Sequence, residues 1–411
     1  MKTRSVFPFR TVSVLVMLAL TGLLPAAAGA AGRGTSGASF LRLGIGAGPA
    51  GAGEAAVTLG GAAEAAAYNP AGVVGVARHT LTATHFQWIE DLAVEGVAYA
   101  APVLDIGTIG AGVSLLHMPA LDAVDAEGRP AGSVRAYDLA VRLTYADRLV
   151  RWLGVEGAEA GVSVKYLHRT LAGEQAFGAA VDVGGMFHPA PDWTLGAACH
   201  NLGYLSGFTG ASESLPVTFR TGVGFTPEFL PGHELAVRAD WVQPLENNPR
   251  ANLGLTYAYD DWAFVRAGYK LGYDVEGFQA GAGVCWRTLT LDYAVKLIDV
   301  FGPTHMVSAT LGFGTSTREQ AEARAWSLLD KAERLYSEQK YTEAMEPVSA
   351  ALAIAPDFPP ALELRAKLQT VLEMLRLSPA DENDSGQPDY LLPPERVTPD
   401  LREEQGWEKT P

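Results

Sequence analysis

Charged side chains recur at even spacing along several strand-like runs in the middle of this sequence. They are Asp138, Arg142, Lys165, Arg220, Arg238, Asp240, Arg266, Lys270, Asp292 and Lys296. Residues two or four positions apart lie on the same face of a β-strand, so these charges would share one face of each run. Seven of the ten are basic, which suits a surface that binds a polar or amphiphilic anion. The alternative is an ionic network that ties these strands to the chain segment before them, because buried charges require partners.

Residue patterns typical of catalysis do not occur beside these charges. The eight histidines stand apart from nucleophiles, and no serine lies in the G-x-S-x-G context of a nucleophile elbow. Glycine runs such as "GVGFTP" lack the following helix that a phosphate loop needs. Cys199 and Cys285 have no metal-site spacing, and we interpret both as small apolar side chains rather than a disulfide. We therefore expect neither an enzyme nor a metal or other cofactor, and the net charge of −15 argues against nucleic-acid binding.

The first thirty residues have the pattern of a secretory signal peptide. Lys2, Arg4 and Arg10 precede an apolar run over 12–24, and an alanine-rich stretch with small residues spaced for cleavage follows. The apolar run is too short for the ~20 residues of a membrane-spanning helix. We assign residues 1–30 as a signal peptide, so the protein is expected to leave the cytoplasm.

The charged face belongs to strands with the period of a two-faced sheet. In "VRAYDLAVRLTYADRL" (134–149), tyrosine, leucine and valine alternate with aspartate, arginine and threonine. A soluble sandwich and a membrane barrel both fit this alternation. Aromatic residues near the strand ends, glycines on the polar face and lengths near the ~9–11 residues that cross a bilayer favour the barrel. Over 79–314 we count about fourteen such segments, and the two longest connections (119–133 and 203–215) fall at the same end. The predicted fold is an all-β transmembrane barrel of about fourteen antiparallel strands, in which the apolar face points outward and the ten charged residues face the lumen.

A glycine- and alanine-rich stretch, 31–78, precedes the predicted barrel. Its sequence "FLRLGIGAGPAGAGEAAVTLGGAAEAAAYNPAGV", placed before a barrel of this strand count, resembles the PorV/PorQ family and, more distantly, the FadL-type fatty-acid transporters. The resemblance implies a small hatch inside the barrel that carries an Asn-Pro-Ala motif, here Asn69, Pro70 and Ala71, followed by Gly72. Asn69 can bond nearby backbone and Pro70 pre-sets a turn, so the helix predicted before them would end there and the chain would leave the lumen. A plain Asn-Pro turn without a functional role is the alternative.

The resemblance also implies a function at the cell outer membrane. Such a barrel moves or displays a hydrophobic or amphiphilic substrate or a secreted protein, and PorV-like proteins act with type IX secretion. Tyr204, Leu205 and Phe208 are candidates for the outer mouth. The expected partners are outer-membrane lipid and a hydrophobic small molecule or a secreted cargo protein. The alternative is a non-transporting scaffold that anchors the C-terminal region.

The C-terminal region changes to a helical pattern over 318–377. One tetratricopeptide (TPR) repeat of about 34 residues is matched over 325–358 by Ala332, Tyr341, Ala344, Ala351 and Pro356, and residues 359–377 would form its capping helix. Thr317 and Gln320 are predicted to form a capping box. The acidic, proline-rich tail (378–411) is expected to be disordered. An even strand number places this TPR-like segment in the periplasm, where it could bind a protein partner.

Overall fold

The computed structural model describes residues 34–208 and 212–377. The predicted signal peptide and the acidic tail lie outside the described residues. Eighteen strands occur within them: β1 His79–Gln87, β2 Ala93–Val103, β3 Gly107–His117, β4 Leu121–Val124, β5 Pro130–Val134, β6 Ala136–Arg148, β7 Ala158–Leu171, β8 Glu174–Ala190, β9 Trp193–Ser206, β10 Ser212–Glu213, β11 Thr218–Phe225, β12 Glu228–Leu230, β13 His233–Pro244, β14 Arg250–Tyr259, β15 Ala263–Leu271, β16 Glu276–Trp286, β17 Leu289–Ile298 and β18 Gly302–Phe313.

Fourteen of the described strands pair antiparallel, each with its neighbour, into a closed barrel. The wall runs β1-β2-β3-β6-β7-β8-β9-β11-β13-β14-β15-β16-β17-β18, and β18 pairs with β1 to close it. The prediction of about fourteen antiparallel strands is confirmed. We call the end where β1 begins and β18 ends the proximal end, and the opposite end the distal end. The distal connection predicted as a loop over 119–133 contains the two-stranded hairpin β4–β5.

The two faces of the wall differ as the alternation predicts. In β6 the side chains of Leu143 and Tyr145 are exposed on the outer surface, whereas those of Thr144 and Ala146 are buried inside. Leucine, valine and aromatic side chains cover the outer surface of most other wall strands in the same way. Aromatic pairs such as Trp193 and Phe225, whose ring centroids are 4.6 Å apart, lie near the strand ends. A broad apolar band bordered by aromatic residues is the surface that a lipid bilayer covers.

A β-bulge interrupts the alternation midway along the pairing of β8 with β9. Val181 pairs with Leu202 and Val183 pairs with Cys199, so His200 and Asn201 both stand opposite Asp182. Asn201 has a φ of 62°, in the left-handed region that asparagine tolerates better than most residues. Because a bulge inserts one extra residue, it reverses the inward and outward positions along the rest of the strand.

Residues 34–78, hereafter the inner segment, pack inside the barrel. The segment contains the short helix α1 Ala47–Gly51 and the 3₁₀ helices Ser39–Arg42, Ala63–Ala67 and Pro70–Val73. Helix α1 contacts β15 to β18, and the last two 3₁₀ helices together contact β1, β2, β3, β6, β7 and β8. The sequence favoured a helix before Asn69, and this helix is a five-residue 3₁₀ turn.

Backbone lies directly on backbone where the inner segment meets the wall. A β-carbon at Gly51 would lie 2.8 Å from Cα of Gly281, and one at Gly196 would lie 2.5 Å from the carbonyl oxygen of Val57. Glycine is therefore required on both surfaces, because any larger residue would push them apart.

The C-terminal part contains three helices: α3 Thr317–Ser337, α4 Tyr341–Ile354 and α5 Pro359–Leu377. A short helix in the wall connection between β6 and β7, Val150–Leu153, is α2 in chain order. The chain divides into two compact units near residue 321. The helical unit has its own apolar core, in which Phe358 packs edge-on against Trp326 with ring centroids 5.1 Å apart. None of the described helices is both long enough and apolar enough to cross a membrane.

The capping box at the start of α3 differs from the prediction by one position. The Ser316 amide donates to Oε2 of Glu319 over 2.6 Å, and the Glu319 amide donates to Oγ of Ser316 over 3.1 Å. The prediction of Thr317 with Gln320 is wrong because Ser316 occupies the N-cap and the amide of Thr317 bonds the carbonyl of Ala77.

Candidate functional site

The Asn-Pro-Ala tripeptide is buried, and both the oxygen and the nitrogen of the Asn69 side-chain amide form hydrogen bonds. Its Oδ1 accepts from the Ala71 amide over 3.1 Å. Its Nδ2 donates to the carbonyls of Val57 (2.8 Å) and Gly185 (3.1 Å). Pro70 starts the 3₁₀ helix that contains Gly72, a place where its missing amide hydrogen costs little. Asn69 thus joins two parts of the inner segment to strand β8.

The wall is shaped to receive this tripeptide. A β-carbon at Gly161 would lie 2.5 Å from the carbonyl carbon of Pro70, and one at Gly184 would overlap Oδ1 of Asn69. His200, in the bulge of β9, donates through Nε2 to the carbonyl oxygen of Tyr68 over 2.8 Å. The tripeptide therefore docks on β7, β8 and the bulge, which gives it a structural role beyond a turn.

A buried ionic cluster supports the bulge from within the wall. Nζ of Lys165 lies 2.7 Å from Oδ2 of Asp182 and 2.7 Å from Oδ1 of Asn201. The Asn201 amide donates to Oδ1 of Asp182 over 2.8 Å, and His200 Nδ1 lies 3.4 Å from Oδ2. All four side chains are buried. Of these, the sequence identified Lys165 alone, since the bulge that assembles the others leaves no signal in the alternation.

Glu54 of the inner segment is clamped by two of the predicted lumen lysines. Nζ of Lys270 lies 2.6 Å from Oε2 of Glu54, and Nζ of Lys296 lies 2.5 Å from Oε1. Lys270 also contacts Glu276. Burial acts to raise the pKa of the Glu54 carboxyl, but the two ammonium groups outweigh it and hold that pKa well below its usual range. Glu54 was not among the sequence candidates, although it is one of two acidic residues in the inner segment.

The backbone around Glu54 is held by further wall side chains. Oδ2 of Asp240 accepts from the amides of Ala56 (2.8 Å) and Val57 (2.9 Å). Arg220 and Asn252 donate to the carbonyl oxygen of Glu54 over 3.4 and 3.1 Å. These contacts are of the kind expected from an ionic network, which was the alternative to an anion-binding surface, and they include the inner segment.

The other predicted lumen charges divide into paired and unpaired groups. Arg266 and Asp292 form an ion pair at 2.6 Å, and Asp138 pairs with Arg169 at 2.9 Å. Within the described chain, neither Arg142 nor Arg238 makes an ion pair, and Nε of Arg142 is buried without a hydrogen-bond partner. Across the same residues no cluster of histidine, cysteine, aspartate and glutamate side chains is arranged to hold a metal ion.

A cavity of about 440 Å³ lies at the distal end, between the inner segment and the wall; we call it the distal cavity. Its lining residues are Ser36, Gly37, Ala38, Ser39, Phe40, Trp88, Leu116, Asp138, Arg169, Phe208 and Glu213. A smaller cavity of about 110 Å³ adjoins it and shares Leu116, Asp138, Arg169 and Phe208. The inner segment forms one side of the distal cavity and the ends of β3, β6 and β7 form another.

The three outer-mouth candidates have different positions. Phe208 lines both cavities, and the guanidinium of Arg169 lies 5.2 Å from its ring centroid. Tyr204 is 58% exposed on the outward face, and Leu205 is fully buried beside Phe40 and Leu167. The bulge at Asn201 explains this pair, because it turns residue 205 inward and residue 204 outward.

Comparison with solved structures finds distant matches. The Ralstonia pickettii toluene transporter TbuX is 13% identical with a TM-score of 0.45, over 66% of this chain and 99% of that one. The Pseudomonas putida toluene transporter TodX is 13% identical with a TM-score of 0.46, over 65% and 96%. A Pseudomonas aeruginosa FadL homologue is 11% identical with a TM-score of 0.41, over 66% and 99%. No protein-family model matches the chain, and no characterised protein is significantly similar in sequence.

Proposed function

We propose that this protein is an outer-membrane β-barrel of the PorV/PorQ, FadL-like type, which moves or displays a hydrophobic or amphiphilic substrate or a secreted protein. The observation that carries the proposal is the distal cavity, which combines aromatic and charged side chains above an inner segment that fills the lumen. In this proposal residues 31–78 are the hatch, and the distal end faces the cell exterior.

The outer surface of the wall supports a place in the membrane. Val265, for example, is 61% exposed on an outward face that carries apolar side chains along most wall strands. Soluble monomers rarely expose an apolar surface of more than a few hundred Å². Lipid removes this surface from water, while the closed order of the described strands leaves no open sheet edge facing lipid.

Transport requires the hatch to move, because its backbone lies against the wall glycines. The polar contacts that resist movement lie mostly at Glu54, Ala56, Val57 and Asn69, and buried apolar side chains of the segment pack on the wall as well. A ligand that entered the distal cavity would contact Ser36 to Phe40, the part of the inner segment nearest the exterior in this proposal. The cavity and the hatch are therefore coupled through one continuous stretch of chain.

The tight packing of the inner segment also favours a second function. If the hatch never moves, the barrel is a non-transporting scaffold that anchors residues 318–377 as a TPR-like module for a periplasmic protein. The glycine contacts at Gly51 and Gly196 are the observation that favours it, since they leave no space between the backbones.

A reversible cross-link distinguishes the two functions. The amide of Ala47 lies 2.8 Å from Oγ of Ser308, so Ala47→Cys with Ser308→Cys would tie α1 to β18 in a background that carries Cys199→Ser and Cys285→Ser. We expect oxidised cells to lose uptake of the fluorescent amphiphile N-phenylnaphthylamine and to regain it after reduction. Uptake that is the same in oxidised, reduced and deletion strains would favour the scaffold. The cysteine-free parent is the control.

A further inference from the structure

We propose that the distal cavity binds a cationic amphiphile and discriminates against free carboxylates. This inference rests on the proposed function and names the substrate class of that site. It follows from the charges, the aromatic rings and the shape of the cavity.

The charged groups of the distal cavity carry an excess of negative charge. Oδ1 of Asp138 lies 2.9 Å from Nε of Arg169, and Oε2 of Glu213 lies 3.4 Å from Nη1 of the same guanidinium. Two carboxylates thus face one guanidinium, which leaves one formal negative charge. A ligand carboxylate would have to compete with two protein carboxylates for Arg169, whereas a ligand ammonium adds a partner to each of them.

The other charged groups beside this site do not line the cavity. Arg42 and Glu246 form an ion pair, and both are within hydrogen-bond reach of Oγ of Ser36 at the cavity edge. As a pair they are neutral, and neither lines the cavity. Arg250 stacks 4.6 Å from the ring centroid of Tyr273 and does not line the cavity either.

Aromatic rings supply the second feature that favours a cation. Phe40, Trp88 and Phe208 line the distal cavity, and Arg169 already uses the ring of Phe208 for a cation–π contact. The faces of such rings attract an ammonium group, and quaternary ammonium ligands are recognised in this way. Phe40 and Trp88 line the same cavity as the two carboxylates, so a bound ammonium group would lie among both kinds of side chain.

The adjoining cavity can hold the apolar part of the ligand. Leu92, Met118 and Leu171 line it together with Tyr137. The charged residues Asp138 and Arg169 are common to both cavities, so they mark the border between a polar head site and an apolar chain site. The combined space of about 440 and 110 Å³ falls within the ~300–1,000 Å³ of small-molecule pockets.

Two ligands of equal chain length test the proposal. Full-length protein in phosphatidylcholine nanodiscs is titrated calorimetrically with octyltrimethylammonium and with octanoate, and the signal of empty nanodiscs is subtracted. We expect the ammonium ligand to bind at least tenfold more tightly. Equal affinities, tighter binding of octanoate, or no binding beyond that of empty nanodiscs would each overturn the proposal.

Three variants connect the affinity to the cavity. Glu213→Gln should weaken octyltrimethylammonium binding about three- to tenfold, and Arg169→Gln should strengthen it while leaving octanoate weak. Asp122→Asn, on the exposed strand β4, is the matched control and should change neither affinity. Loss of octanoate binding in Arg169→Gln would instead identify a carboxylate site. That result would refute this inference but not the proposed function, which the cross-link tests separately.

Discussion

At the scale of single residues, the charge on Glu54 is the centre of the contacts between the inner segment and the wall. Its two lysine partners come from β15 and β17, and Asp240 and Asn252 from β13 and β14 hold the adjoining backbone. Alternation identified both lysines, because a strand repeats every two residues. It could not identify Glu54, since the inner segment has no period that indicates which side chain faces the wall.

Replacing Glu54 should loosen the barrel measurably. Glu54→Gln leaves the buried ammonium of Lys296 without its carboxylate, and removal of one partner of a buried ion pair costs about 3–5 kcal/mol. We expect a lower temperature for the transition from the compact to the extended form on a denaturing gel. Glu174→Gln, exposed at the start of β8, is the control. An unchanged transition temperature in Glu54→Gln would mean that the ion pairs of Glu54 do not stabilise the barrel.

The same carboxylate predicts how stability depends on pH. The pKa of Glu54 is depressed in the folded protein, so its contribution is complete above the unfolded-state pKa of about 4.3. The contribution is lost as pH falls toward the folded-state pKa, when the unfolded chain binds the proton first. The gel transition of the wild type should therefore decrease from pH 5 to pH 3, and Glu54→Gln should show a shallower decrease. Parallel profiles of the two proteins would contradict this assignment.

At the scale of elements, the bulge in β9 changes which side chains face inward in a way that the sequence pattern does not predict. Strict alternation places His200, Leu202 and Tyr204 on one face, but the extra residue at Asn201 divides them between both faces. A bulge is stabilised by tertiary partners, here Lys165 and Asp182, which are distant in sequence. The strand itself was predictable from its own residues, and the side chains beyond the bulge were not.

The contact between β8 and the tripeptide can be tested with two adjacent glycines. Gly184→Ala would place a methyl group against Asn69 and Pro70, and overpacking of this kind costs about 1–3 kcal/mol. We expect faster cleavage of the inner segment by protease in detergent. Gly185→Ala is the matched control, because among the described residues other than its chain neighbours its β-carbon would contact just the carbonyl of Glu159, at 3.3 Å. Equal cleavage of the two variants would show that the wall does not hold the tripeptide at this point.

The helical unit offers an independent element-scale prediction. Phe358→Ala removes a buried ring that packs on Trp326, and such a change costs about 3–5 kcal/mol. Residues beyond 321 should become sensitive to trypsin while the gel shift of the barrel stays unchanged. Met374→Ala, at an exposed position, should behave as the wild type. Joint loss of both properties would mean that the two units do not fold independently.

At the scale of the whole molecule, the strand count was predictable and the filling of the lumen was not. Two-residue periodicity and turn residues repeat fourteen times, so small errors at strand ends do not change the total. The packing of the inner segment depends on pairs such as Gly51 with Gly281, which no local pattern connects. The family resemblance implied that the segment lies inside the barrel, but not which of its residues meet the wall.

The even strand number leads to a prediction of sidedness. The chain enters β1 and leaves β18 at the same end, where Gly314 lies against His79, so a signal peptide that delivers the amino terminus to the periplasm would leave the C-terminal region there too. The hairpin β4–β5 would then lie outside the cell.

Tags at two positions test this sidedness. A β-carbon at Gly128, in the turn of the hairpin, would meet no described atom within 4 Å, so a short tag should be tolerated there. Protease added to intact cells should cut a tag at Gly128 and spare one at Pro411. Permeabilised cells provide the control, because both tags should then be cut. Cleavage of the Pro411 tag in intact cells would show that the topology is the reverse of the predicted one. The distal cavity would then face the periplasm, where it could not receive a ligand from outside.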